Sequence, residues 1–161
     1  MRRTSIAGLA LLAVMAAPAC LARTVPAQTT PAAAPSGQDW NPVSRSATRV
    51  YLVDVNGITV NGDVTRITLA RVPLHPPSPV DQSYVVVEME YRCGAGQSRA
   101  VAEIEHDETG AALDRFETGE DFAPYSPQAL DGYVAAVVCD GDRATPPTFP
   151  SIPAFIAAGR P

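Results

Sequence analysis

Lysine is absent. All 12 basic residues of the 161-residue chain are arginine, set against 17 acidic residues. That balance repels phosphate backbones and anionic lipid, which argues against nucleic acid as a partner. Histidine is scarce, with His75 and His106 alone. There are three cysteines, Cys20, Cys93 and Cys139, and no tight ligand spacing of the kind a structural metal site uses. No G-x-S-x-G elbow, H-E-x-x-H helix or phosphate-cradling glycine loop occurs. These absences argue against an enzyme, a cofactor and a metal centre. No internal repeat and no long like-charge block appears. Beyond the first residues no long apolar run follows, so no transmembrane helix is expected.

What is there begins with a leader. Residues 1–22, MRRTSIAGLALLAVMAAPACLA, carry two arginines, then an apolar run from Ile6 to Ala17, then small residues. That is the layout of a secretory signal peptide, and the run is short for a bilayer span. Three cut sites compete: after Ala19, after Ala22 and after Ala27. A second reading gives Cys20 a lipid, since Ala17-Pro18-Ala19-Cys20 loosely resembles a lipobox; association with a membrane is expected only in that case. Without Arg2 and Arg3, 10 basic residues face 17 acidic ones, a formal charge of −7.

Residues 23–46 are rich in Thr, Pro, Ala, Ser and Gln and read as a disordered linker with little to bury. Residues 143–161 read as a proline-rich tail. Phe149, Ile152, Phe155 and Ile156 offer it apolar contacts with the domain, and a loosely held terminus is the alternative. The folded domain is then expected over 47–142, near the usual single-domain size.

Inside it the alternation is plain. In YVVVEMEYRCG, residues 84–94, one row is Val85, Val87, Met89, Tyr91, Cys93 and the other Val86, Glu88, Glu90, Arg92. Side chains on a strand alternate faces, so this is a half-buried strand with Glu88 and Glu90 on the solvated side. Strands are also predicted over 48–55, 58–60, 64–72, 98–106 and 112–117. In 98–106, Ala100, Ala102 and Ile104 form one row, and Val101, Glu103 and Glu105 the other. The Asn56-Gly57, Asn61-Gly62-Asp63, Gly94-Ala95-Gly96 and Asp107-to-Gly110 stretches are turn signals. Four prolines exclude RVPLHPPSPVD, 71–81, from a central ladder. Leu130, Tyr133, Val134, Val137 and Val138 fall on one helical face, predicting a helix over 127–139 with Pro127 in its first turn.

An exported chain meets an oxidising compartment, and the folded region keeps two cysteines. A Cys93–Cys139 disulfide is favoured over a metal site or a redox pair, the latter usually spaced C-x-x-C. The fold expected is α+β: an antiparallel β-sheet with a C-terminal helix packed on one face and one disulfide.

The spacing resembles the surface-adhesin protein E-like family of small exported bacterial domains. Val53-Asp54, Ile58 and Gly62-Asp63 match its V-D-x-x-S-I-x-x-x-G-D pattern, with Gly57 in place of serine. Cys93 matches the central cysteine and Arg99 the basic residue after it. Asp107 and Gly110 match Y-D-x-x-G, with His106 in place of tyrosine. Pro127 and Cys139 match the P-G-S…V-C ending, with Gln128-Ala129 in place of Gly-Ser. A tryptophan usual in the family's second strand is missing. The match spans roughly residues 48–139. It implies a location at the envelope or surface and, for some members, adhesion to host matrix proteins, with Arg92 and Arg99 at the position of binding contacts.

Other candidates read as structure. Asp54 suits a hydrogen bond into the Asn56-Gly57 turn. His75 sits in a proline loop. His106 stands among Glu103, Glu105, Asp107 and Glu108, but alternation turns it away from Glu103 and Glu105, so the group does not converge on a cation. The functional expectation is a non-enzymatic, exported cell-envelope or surface binding domain contacting a protein or envelope component. The alternative is a periplasmic or outer-membrane-tethered accessory protein with a structural role and no host adhesion.

Overall fold

The computed structural model describes residues 37–161. The leader expected over residues 1–22, with Cys20, and the part of the expected linker up to residue 36 lie outside the described residues. Eight antiparallel strands form one sheet: β1 (Trp40–Arg45), β2 (Arg49–Asp54), β3 (Thr59–Asn61), β4 (Val64–Pro73), β5 (Tyr84–Arg92), β6 (Gln97–His106), β7 (Ala112–Glu117) and β8 (Ala123–Pro124). The spatial order is β1-β2-β4-β5-β6-β7, with β3 paired to β4 and β8 to β6. Two helices follow, α1 (Leu130–Cys139) and α2 (Ile152–Ala157). The α+β expectation therefore holds, and so does the disulfide: Cys93 and Cys139 bond with their Cα atoms 5.5 Å apart.

The chain is apolar on both faces of this sheet. On one, Val53, Ile67, Leu69, Val87, Met89 and Tyr91 pack against Val134, Ala135 and Val137 of α1. On the other, Trp40, Val50, Leu52, Ala70 and Val72 pack against Phe149, Ile152, Phe155 and Ile156. Neighbours Leu52 and Val53 thus serve opposite cores, as period-two alternation requires. The row Val87, Met89, Tyr91 is buried as predicted, with Val85 and Cys93 partly buried beside it.

Four expectations need correction. Residues 40–45 are not linker: Trp40, 2 % exposed, opens the edge strand, and its backbone exchanges hydrogen bonds with Phe149 (2.8 and 3.0 Å). Pro42 sits where the β1–β2 register shifts, and edge strands and bulges tolerate a proline. Residues 143–161 follow the docked of their two readings, with Phe149, Ile152, Phe155 and Ile156 all buried against the sheet, so it is the domain bounds of 47–142 that fall short at both ends. Ser151 caps α2 by accepting from the Ala154 amide at 3.1 Å, Pro153 lies in its first turn, and Phe155 is fully buried. Burying that many apolar side chains outweighs the cost of ordering a proline-rich segment.

Third, α1 begins at Leu130 rather than at residue 127. Its N-cap is Ala129, which has no side-chain acceptor to hold the first turn. Fourth, β6 carries a bulge. Ala100 pairs with Met89 but Ala102 pairs with Glu88, leaving Val101 unmatched. Ala100 and Ala102 therefore face opposite sides, and the single row read from residue 100 to residue 104 is broken.

Candidate functional site

The predicted contact arginines lie at the β5–β6 end of the face that α2 only partly covers. Glu90 is central there, and it is not solvated: it is 3 % exposed. Its carboxylate accepts from Arg66 Nε at 2.7 Å and from Arg99 Nε and Nη2 at 2.9 and 2.6 Å. Burial works to raise its pKa, but the hydrogen bonds from Arg99 and Arg66 hold it below the usual glutamate range. Arg99 and Arg92 both lie over the ring of Phe122, with guanidinium carbons 4.5 and 4.0 Å from its centroid. Such contacts stabilise by about 0.5–1 kcal/mol each at exposed sites. Arg92 also approaches Asp63 at 3.4 Å. Arg92 and Arg99 are thus engaged with the protein itself. They fasten the loop between β7 and β8 to the sheet. Glu88 is likewise paired, with Arg115 at 2.8 Å.

The remaining motif residues act on the backbone. Asp54 Oδ1 accepts from the Asn56 amide at 3.2 Å, as expected, and also from the Asp39 amide at 2.9 Å. Ile58 packs against the α1-side core. Gly62 and Gly110 take left-handed φ of 63° and 82°, which L side chains avoid. Asp107 Oδ1 accepts from the amides of Thr109 and Ala111 (2.8 and 3.0 Å), closing the β6–β7 turn. Those bonds, the side-chain bond from Thr109 foremost, lower its pKa. Pro127 lies against Gly132 in the approach to α1. His106 stacks on Tyr84 with ring centroids 4.0 Å apart, and burial lowers its pKa. Among the described residues, no group of three His, Cys, Asp or Glu converges as a metal site.

The feature that sequence reasoning missed is on the other face. Helix α1 leaves part of that face open, and a cleft of about 300 Å³ forms between its N-terminus, β6 and the β7–β8 loop. Leu130, Glu120, Asp121 and Asp131 line it, over a floor of the buried core residues Leu69, Val87 and Met89. Asp131 accepts from the Ser98 hydroxyl at 3.1 Å, and Glu120 from the Ala100 amide at 3.1 Å. Arg71 and Glu103 also line it but neutralise one another at 2.5 Å. The sequence signal was the pair Glu120-Asp121 beside the loop; their convergence with Asp131 needed the fold.

No family model matches the chain. No curated protein matches it. Among solved structures, the chain is similar to protein E of Haemophilus influenzae, at 14% sequence identity and a TM-score of 0.42, over 64% of this chain and 94% of that one.

Proposed function

We propose that this protein is an exported cell-envelope or surface binding domain that contacts a protein or envelope component and performs no catalysis. The observation that carries this reading is the Cys93–Cys139 disulfide, which joins the end of β5 to the end of α1. A structural disulfide belongs to an oxidising compartment, and the arginine-plus-apolar layout of residues 1–22 is the route there. The side chains with motif matches hold turns and pair with one another, which suits a rigid scaffold. The open cleft beside α1 is the concave surface such a scaffold offers.

The test uses the full chain expressed with its own leader. Fractionation and external protease on whole cells locate it. Capture assays against intact cells and host matrix proteins then look for a partner at about micromolar affinity. Surface exposure with saturable binding is the expected result. Absence of binding together with protection from external protease would favour the accessory role. The lysine-free sequence sharpens the measurement of processing, because the mature chain's only primary amine is its N-terminus. An amine-reactive reagent adds one label to a free N-terminus and none to a Cys20 whose α-amine is acylated, and intact mass reports a lipid held on the thiol alone.

A further inference from the structure

The buried acidic side chains Asp54, Asp81 and Glu90 each accept hydrogen bonds. The buried arginine, Arg160, is served less well. It lies just beyond α2 and is 8 % exposed. Its Nη2 donates to the Asp81 carbonyl oxygen, while its Nε is sealed from solvent and has no acceptor. Nη1 has no acceptor among the described residues either, and unlike Nε it is not sealed. No carboxylate there pairs with the guanidinium. Asp81 is close in space, but its Oδ1 accepts from the Ser83 amide at 2.7 Å and forms no ion pair with Arg160. An arginine is almost never buried without a pair, because an uncompensated charge is costly to take out of water. A clamp on one carbonyl needs a neutral N–H, not a buried cation. The backbone of Arg160 also takes a left-handed φ of 57°, which residues with a Cβ avoid.

Arg160 borders a cleft of about 750 Å³ between the β4–β5 loop and α2. The apolar walls of this cleft are exposed surface rather than core: Pro79, Val80 (79 % exposed), Pro153 and Ala157. His75 and Gln82 add polar groups, and none of the chain's 17 acidic residues lines it. Apolar walls, one cation with a free donor and no acid match an apolar body that carries a carboxylate. We propose that this cleft binds a small organic carboxylate, with a carboxylate oxygen accepting from Arg160 Nη1 and the apolar body lying against Val80, Pro79, Pro153 and Ala157. The volume falls in the usual range for small-molecule sites. A charged acceptor on a charged donor forms the stronger class of hydrogen bond, which separates an acid from its neutral isostere. The site goes beyond the partner-binding reading and is independent of it: it lies on the α2 side of the sheet, and failure of either assignment leaves the other standing.

The test titrates isotope-labelled full chain, recovered after export, with benzoate and with benzamide, which has nearly the same shape and no charge. Amide shifts follow the binding. Expected are shifts at Val80, Gln82, Ala157 and Arg160, a benzoate dissociation constant of about 1 mM or tighter, and a preference for benzoate of about tenfold. Arg160→Gln should reduce that ratio to about one. Val80→Asp places a carboxylate on the exposed wall and should weaken benzoate about threefold while leaving benzamide unchanged. Because Val80 is exposed, this variant is readable even if Arg160→Gln destabilises the fold. Val60→Asp, the same change on β3 at a residue 73 % exposed and outside the cleft, should leave both affinities as they are. Equal affinity for the two probes, shifts confined to another surface, or equal weakening by Val60→Asp and Val80→Asp would overturn the proposal. Inorganic phosphate binding as tightly as benzoate with the same shifts would also overturn it, by making the site one for anions in general.

Discussion

Glu90 shows how a single residue departs from its local pattern. Its row in β5 alternates with a buried one, and two glutamates on that row read as solvated. The register sets Arg66 and Arg99 opposite it on either side, and their side chains close over the carboxylate. A buried carboxylate with two charged donors is costly to disturb. Glu90→Gln should lower unfolding stability at neutral pH by about 2 kcal/mol, in the range for hydrogen bonds to charged groups. The pH dependence has a definite sign. The folded pKa is depressed, so the stabilisation is complete above the unfolded glutamate pKa and fades as pH falls through the folded value. Wild-type stability should therefore decline below about pH 4.5 more steeply than that of Glu90→Gln. Chemical denaturation of both proteins across that window checks it; parallel declines would remove the buried ion cluster as the cause.

Helix α1 depends on an absent side chain. A Cβ on Gly132 would stand 2.3 Å from the Ser126 carbonyl oxygen and 2.5 Å from Pro127 Cα, both backbone atoms with no easy retreat. Two effects oppose each other in Gly132→Ala. Helix propensity favours alanine by about 1 kcal/mol. Overpacking against backbone costs about 1–3 kcal/mol or more. The clash wins, and a net loss of about 1–2 kcal/mol is expected by thermal or denaturant unfolding. A gain in stability would mean that the segment entering α1 can move aside.

Helix α2 tests the second core. Phe155 is fully buried and meets Phe149 edge-on, with centroids 5.1 Å apart. Phe155→Ala should cost about 3–5 kcal/mol, whereas truncating a side chain in a loosely held terminus would cost about 0.5 kcal/mol or less. The two outcomes are far enough apart for one denaturation curve to separate them. The sequence did carry a signal for α2: Ser151-Ile152-Pro153 is a capping residue followed by a first-turn proline. Proline density around it obscured that signal. Strand β1 was obscured in the same way, because Pro42, Ser44 and Arg45 conceal a strand whose burial rests mainly on Trp40 and Asn41.

At the scale of the whole molecule, one covalent link joins the sheet to its last elements. The Cys93–Cys139 bridge spans 46 positions of sequence, and loop-closure entropy assigns it about 4 kcal/mol. Reduction should shift the denaturation midpoint by a corresponding amount. Alkylation of the unreduced protein should leave both Cys93 and Cys139 unlabelled by mass; label on either would refute the link. By itself the sequence determined the strands β2 to β7, their turns, a terminal helix and the cysteine pair. Alternation, turn chemistry and cysteine count are properties of neighbouring residues or of composition. Only the tertiary structure decided that each face of the sheet carries its own core, that Glu90 is buried, and that Glu120, Asp121 and Asp131 line one cleft. Each of these joins residues from separate strands and loops, and a one-residue bulge in β6 is enough to change which face a side chain joins. Local pattern specifies that a face exists; long-range register specifies what shares it.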